Sequence, residues 1–293
     1  MYQWYIAAMS RQRAFHELRG IQSIEIGCRL LSALAQTGRS LGLSELAKAG
    51  AMSPSKARRY LISFTRAGLI EQDSTSGQYD LGAFALRLGL VAQSRSDVVR
   101  LSRPVLMQLR DKLRETVAIV VWVGGRPTVV HIEESDRSII RVVAPVGSPL
   151  ALLTTAGGMI FAAYLPEAVS APLIEQELRE NARHPKQANL VRTKRESELL
   201  LSGIRKRGLA RAYPVISTSI CTLAAPVFDA RGAITAALVA LGYRSTFDAS
   251  FDGAVAKAVQ AAAKQLSQRL GHHAESVVNE RQGNSRGKDR IAP

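Results

Sequence analysis

Residues 53–61, Ser-Pro-Ser-Lys-Ala-Arg-Arg-Tyr-Leu, constrain the fold more than any other stretch of the chain. Serine followed by proline is a helix start signal. The hydroxyl accepts from an amide of the first turn, and proline at the first helical position gives up an N–H that would have no partner there. From that start Ala57, Tyr60, Leu61 and Phe64 recur at helical spacing and predict a buried face. Ser55, Arg59 and Ser63 point the opposite way, with Lys56 and Arg58 on the flanks.

The neighbouring segments give this helix a context. Upstream, Ser23 is read as the cap of a helix with Ile24, Cys28, Leu31, Leu34 and Ala35 on its apolar face, ending near Gly38. Ser44 is read as the cap of a short helix, Glu45 to Ala49, closed by Gly50, and Ala51-Met52 leads into Ser53. Two short helices joined by a tight, glycine-containing link form a helix-turn-helix. Downstream, Gly68 to Gln72 and Gln78 to Leu81 flank the turn-rich loop Asp73 to Gly77, a β-hairpin pattern. The sum is a winged helix-turn-helix over residues 20–82. Such proteins read base edges with the N-terminal part of the second helix of the motif. Arg58 and Arg59 are therefore the expected groove contacts, with Ser44, Ser53, Ser55 and Lys56 on phosphate or adding to base contacts. An amphipathic surface helix with a solvated basic face is the alternative reading of 53–64.

Bulk properties agree with a polyanionic partner. Thirty-nine basic against 24 acidic residues leave a formal charge of +15, which favours such a partner by counterion release and says nothing about sequence specificity. Arg192, Lys194, Arg195, Arg205, Lys206, Arg207 and Arg211 cluster in the second half; they are read as solvated helix faces outside the DNA footprint. With 293 residues and 46% hydrophobic content the chain can bury two modest cores. Two cysteines supply neither a disulfide framework nor metal-ligand spacing, and Cys28 reads as a small core residue. Neither a metal nor a cofactor is expected. No apolar run approaches a membrane span. Residues 1–9 are apolar but precede the first positive charges, the wrong order for a secretory signal. A cytoplasmic protein is expected, with a poorly ordered extension over 1–19, Met9 as an alternative start, and a disordered tail over 272–293.

In the second half the hydrophobic period changes. Leu86, Leu88 and Leu90 predict a linker helix over 83–99, and a second helix from about Val98 to Arg114 contains Pro104, where a kink or restart is expected. Val117 to Val123 and Thr128 to Glu134 read as a hairpin, Ile139 to Val143 as a third strand, and Thr222 to Phe228 with Ala233 to Leu241 as another hairpin. Helices are expected at about 155–164, 168–181, 195–207 and 252–271. The class is α+β, a mixed or antiparallel sheet flanked by helices.

Three ordered segments in each half carry a resemblance. Gln22-Ser23-Ile24-Glu25 through Leu30-Leu31, Leu43-Ser44-Glu45-Leu46-Ala47, and Tyr79-Asp80-Leu81-Gly82 resemble the N-terminal domain of IclR-type bacterial transcriptional regulators. Val130-His131-Ile132-Glu133-Glu134-Ser135, Thr154-Thr155-Ala156-Gly157, and Ala224-Ala225-Pro226-Val227-Phe228-Asp229 are similar, in order and spacing, to that family's effector-binding domain. The resemblance implies a GAF-like sensor domain over 100–271 and a regulator whose hold on DNA responds to a small organic acid. One helix-turn-helix reads only a short half-site, so the expected assembly is a homodimer on a near-palindromic operator, formed through the first domain and linker, or a tetramer through the sensor domains.

The expected pocket has two walls. Thr154 to Gly158 opens a helix with small residues that expose amide N–H groups, an anion site that needs no arginine; equally, the glycines could serve close packing on the sheet. In the family this segment contacts organic-acid effectors, which assigns Leu150, Thr155, Ala156 and Gly157 to the first wall. The second is expected from Arg211 to Thr222, with Tyr213, Thr218, Ser219, Cys221 and Thr222. Relatives often carry an acidic residue early in this segment and serines on the last strand; here no acid precedes the strand, and Val239 and Leu241 stand in place of the serines. A less polar pocket with an aromatic ring points to an aromatic or bulky acid.

Two other function classes remain open to the sequence: a small-molecule enzyme and a sensor that acts through a protein partner. Cys221 as the nucleophile of a small-molecule enzyme would need a base and an orienting group. Of the histidines, His131 alternates with Val130 and Ile132 on a strand and reads as structural, and Glu133-Glu134 face opposite sides. No phosphate-binding glycine loop is present, and no catalytic residue is assigned. A sensor acting through a protein partner, with a vestigial DNA domain, leaves the basic face at Arg58 and Arg59 without a purpose.

Overall fold

The computed structural model describes residues 20–94, 97–135, 144–184, 190–213 and 219–272. The expectations for 1–19, for the strand at 139–143, for Thr218 and for the tail after His272 lie outside these residues. The chain divides into two compact units, the main boundary falling after Arg100.

The first unit contains α1 (Gln22–Thr37), α2 (Leu43–Ala49), α3 (Pro54–Arg66), β1 (Ile70–Gln72), β2 (Tyr79–Leu81) and α4 (Ala83–Ser94). Helix α3 starts as its sequence dictates: the Lys56 amide donates to Ser53 Oγ at 3.4 Å, and Ala57 and Leu61 are buried. The two other predicted caps are displaced. Ile21 precedes α1 with no side-chain bond, and Ser23 lies inside the helix. Gly42, not Ser44, occupies the start of α2; its amide donates to the Glu45 carboxylate at 3.0 Å.

The buried face of α1 is also rotated from expectation. It runs through Gly27, Leu30 and Leu34, leaving Ile24, Cys28 and Ala35 exposed. Gly27 explains the shift: a Cβ there would lie 2.7 Å from Phe64 and 3.2 Å from Tyr60, so the bare backbone of α1 meets α3. A count of apolar side chains skips such a contact. Between α2 and α3, Ala51 takes φ +51° and the Met52 amide donates to the Ala47 carbonyl at 3.0 Å, closing the turn.

Leu30, Leu34, Leu41, Leu46, Leu61, Ile70 and Tyr79 form the core of the motif. The hairpin pairs Ile70 with Leu81 and Gln72 with Tyr79. Its loop is held by Asp73, whose Oδ1 accepts the Thr75 and Ser76 amides at 2.8 and 2.6 Å.

The next helix, α5 (Asp97–Leu113), contains Pro104 without restarting there. The sheet consists of β3 (Thr116–Val123), β4 (Arg126–Glu133), β5 (Ala210–Ala212), β6 (Ile220–Phe228) and β7 (Ile234–Tyr243), in the order β4-β3-β7-β6-β5. The pairs β3–β7, β7–β6 and β6–β5 are antiparallel. Gly124 and Gly125 both take positive φ in the β3–β4 turn, as a two-residue hairpin loop demands. Strand β5, three residues long, was too short to show a pattern. Around the sheet lie α6 (Ala156–Tyr164), α7 (Glu167–Ala182), α8 (Lys194–Arg207) and α9 (Ala254–Arg269), with α6 and α9 both packed on β6 and β7. Val117 to Val121 are buried without interruption, and α6 is buried from Ala156 to Ala163. Among the described residues no helix is long and apolar enough to cross a membrane.

Candidate functional site

On α3, Ser55, Lys56, Arg58, Arg59 and Ser63 are exposed on the side opposite the buried Ala57 and Leu61. Ser53 and Ser55 bring their hydroxyls within 3.2 Å at the helix start, and Ser63 turns its hydroxyl back onto the Arg59 carbonyl at 3.2 Å. Arg58 and Arg59 enter no ion pair among the described residues, whereas the nearby Arg39 is held by Glu45 at 2.8 Å. Ser44 is exposed in the first turn of α2. The face is cationic, solvated and free to meet an anionic groove.

In the second unit, strand register decides which residues can share a site. A Cβ on Gly157 would lie 3.2 Å from Val120 and 3.4 Å from Leu150 and Val239, so those side chains meet the start of α6. Directly paired residues of antiparallel strands share a face, as do residues two apart. Val239 pairs with Ala118 and Ala224, Leu241 pairs with Thr222, and Thr222 pairs with Ala212. Val120, Thr222, Val239 and Leu241 therefore lie on the α6 face, beside Leu150 and Thr155. Leu150, Thr155, Thr222 and Leu241 remain partly exposed there.

Thr155 caps α6: its Oγ1 accepts the Gly158 amide at 3.1 Å and donates to the Ala151 carbonyl at 2.7 Å. A Cβ on Gly158 would collide with that carbonyl. The amides of Ala156 and Gly157, first in the helix, have no acceptor within it. The close packing on the sheet falls at Gly157, against Val120 and Val239, and Gly158 packs on the preceding loop.

Cys221 and Tyr213 do not join this group. Cys221 pairs with Gly242 on the opposite face of β6, fully buried, and Tyr213 lies under the guanidiniums of Arg211 and Arg244. Arg211 pairs with Leu223, two residues from Cys221, and so belongs to that same opposite face. Ser219 is exposed just before β6, its carbonyl accepting the Arg244 amide at 2.8 Å. Neighbours on a strand cannot line one pocket, and the expected second wall reduces to Thr222.

Sequence reading missed Glu177. This buried carboxylate on α7 accepts the amides of Leu152 at 2.6 Å and Leu153 at 2.9 Å, with Arg126 at 3.8 Å. It fixes the segment that carries Leu150 into Thr155. Burial raises its pKa, against the opposing pull of the two amides and Arg126. Nothing in the helical pattern of α7 distinguishes it from an exposed acid.

Enzyme-like chemistry finds little support. Burial pushes the Cys221 thiol up to about 11, away from the thiolate a nucleophile needs. His131 Nε2 lies 2.9 Å from Glu133, whose other oxygen accepts from Arg110 at 3.0 Å, so the ring is part of a network tying β4 to α5. Among the described residues no three His, Cys, Asp or Glu are placed to hold a metal ion.

Comparison with known families decides the identity. Residues 91–268 match the bacterial transcriptional regulator IclR C-terminal domain, and residues 23–74 match the IclR helix-turn-helix domain. The chain belongs to the IclR family. This IclR regulator is 33% identical to the glycerol operon regulatory protein of Streptomyces coelicolor over 217 residues, 73% of this chain and 81% of that one. The crystal structure of Pseudomonas aeruginosa HmgR is 37% identical, covers 87% of this chain and all of that one, and superposes with a TM-score of 0.53. An IclR homolog of Microbacterium hydrocarbonoxydans, solved with 4-hydroxybenzoate, gives a TM-score of 0.68 at 18% identity, covering 84% of this chain and 98% of that one. At that identity the likeness shows the fold alone. As an IclR protein the chain is a DNA-binding transcriptional regulator with a C-terminal effector-binding domain.

Proposed function

We propose that this regulator binds a near-palindromic operator as a homodimer, reading each half-site with Arg58 and Arg59 of α3, and that a bulky, aromatic organic acid bound on the α6 face alters that binding. The observation carrying the ligand class is the make-up of that face: the side chains of Leu150, Val120, Val239 and Leu241 share it with the partly exposed Thr222, next to the amides that open α6. Apolar walls suit a ring, and the helix start suits its carboxylate. A family neighbour solved with 4-hydroxybenzoate supports this class. The mechanism is a population shift: an acid that binds one arrangement of the dimer better moves the spacing of the two recognition helices and changes their fit to the half-sites.

The test is a gel shift with the DNA immediately upstream of the protein's own gene, titrating salt, with and without a panel of aromatic and aliphatic acids. The expected result is a specific shift modulated by an aromatic acid, whose direct binding calorimetry then confirms. Modulation by two- or three-carbon acids alone overturns the ligand class. Absence of any specific shift overturns the operator reading.

A further inference from the structure

Away from the α6 face, five side chains alternate in a row. Arg207, the last residue of α8, lies over the Phe251 ring at 4.4 Å, guanidinium carbon to ring centre, and Arg211 lies over the same ring at 4.3 Å. Arg211 and Arg244 in turn approach Tyr213, at 5.7 and 4.9 Å. One guanidinium N–H of Arg211 is spent on the Ala249 carbonyl at 3.0 Å. The order is cation, ring, cation, ring, cation.

None of the three guanidiniums enters an ion pair among the described residues, although Arg39, Arg100, Arg110, Arg126 and Arg179 each reach a carboxylate. The acids of the adjoining loop do not neutralise them. Asp248 is taken up by Ser250 and the Ala254 amide, and the exposed Asp252 pairs with none of the three. A contact with a ring face does not consume a guanidinium's N–H donors, so they remain able to meet an anion. Arg207 and Arg244 are exposed and Arg211 partly so.

Three guanidiniums linked through two rings offer more positive charge than one carboxylate or phosphate pairs with, which fits a polyanion. A second copy of this chain meeting the row about a two-fold axis would set the same three guanidiniums against one another. We propose that the Arg207–Phe251–Arg211–Tyr213–Arg244 ladder contacts the phosphodiester backbone of duplex DNA, giving the effector-binding unit a sequence-independent DNA contact of its own. This rests on the chain being a DNA-binding protein and extends the footprint to Arg207 and Arg211, which the sequence alone reads as solvated.

The experiment measures binding of the full chain to a non-operator duplex by fluorescence anisotropy over a salt series. R207E/R244E reverses the two exposed ends of the ladder, K194E/R195E makes the same charge change at the exposed start of α8, and R58A/R59A disables the reader. Circular dichroism melts establish that each variant is folded. For R207E/R244E the slope of log affinity against log salt should fall by about two per protomer, at roughly 0.9 per lost phosphate contact, with affinity down about tenfold or more at low salt. K194E/R195E should change the slope little, and R58A/R59A should retain a residual slope that R207E/R244E then removes. An unchanged slope in R207E/R244E, or an equal fall in K194E/R195E, overturns the ladder. So does loss of poly-glutamate binding with the DNA slope intact, which reassigns the surface to an acidic protein. Absence of duplex binding by the wild type would instead sink the DNA-binding reading, and binding that tracks Arg58 and Arg59 alone sinks only the ladder.

Discussion

Cys221 and Thr222 are chain neighbours whose side chains leave opposite faces of β6. That alternation makes a sharp prediction. Thr222→Val removes a partly exposed hydroxyl from the α6 face at nearly constant volume, and should change effector affinity or selectivity as read by calorimetry. Cys221→Ala should leave both unchanged while lowering the melting temperature, since it empties part of a fully buried position. The reverse pattern would put the ligand on the other side of the sheet. On α3, Arg59→Ala should cost about 1–3 kcal/mol if Arg59 reads a guanine edge, with specificity relaxed at one base pair only. Uniform loss over all sequences, with a shallower salt slope, would make Arg59 a phosphate contact instead. Competition gel shifts against single-base operator variants separate the two outcomes.

At the scale of elements, Glu177 holds the segment between Leu150 and α6 by accepting two backbone amides. Glu177→Gln keeps the shape but offers one acceptor oxygen for two donors, so about 1–3 kcal/mol of stability should be lost through the amide left unpaired. The pH dependence follows from burial raising this carboxyl above its ordinary 4.5. The folded protein then binds the Glu177 proton more tightly than the unfolded chain does, so wild type loses stability as pH rises from about 4.5 through the folded value. The glutamine variant has no such proton to lose. The gap between wild type and variant should therefore be widest near pH 4 and narrow toward neutrality, as measured by paired thermal melts. A gap that widens with pH would mean that the two amides and Arg126 outweigh burial. Such a clamp is invisible in sequence because it joins residues 25 apart, and an acid on an amphipathic helix looks the same buried or solvated. Elements with strong local signals were legible: the Ser-Pro start of α3, the Gly-Gly hairpin and the buried run of β3 all fall where pattern and turn chemistry put them. Two misreadings arose where backbone, not side chain, makes the contact: Gly27 rotates the buried face of α1, and Gly42 displaces Ser44 from the cap of α2. A third ignored strand alternation, which sends Cys221 and Thr222 to opposite faces.

For the whole molecule, the question is what covers α4. This helix is apolar nearly all round, yet Leu86 is 65% and Leu90 is 55% exposed, and Ile24 on α1 is 59% exposed. A helix without a polar face is stable in water only when something packs on it. A second copy of the same chain is the occupant that operator recognition also calls for, because one helix-turn-helix spans only a half-site. Leu86→Asp with Leu90→Asp should then reduce the sedimentation mass toward that of a monomer. The fold of each unit should survive, since neither side chain belongs to the buried core of the helix-turn-helix. Operator affinity should fall far more than the loss of a surface contact explains: joining two half-site readers raises apparent affinity by about 10²–10⁴, and separation forfeits that factor. Binding to a lone half-site should stay as weak as in the wild type. If the double variant remains dimeric and keeps its operator affinity, α4 is not the dimer seam, and its apolar surface serves a different partner.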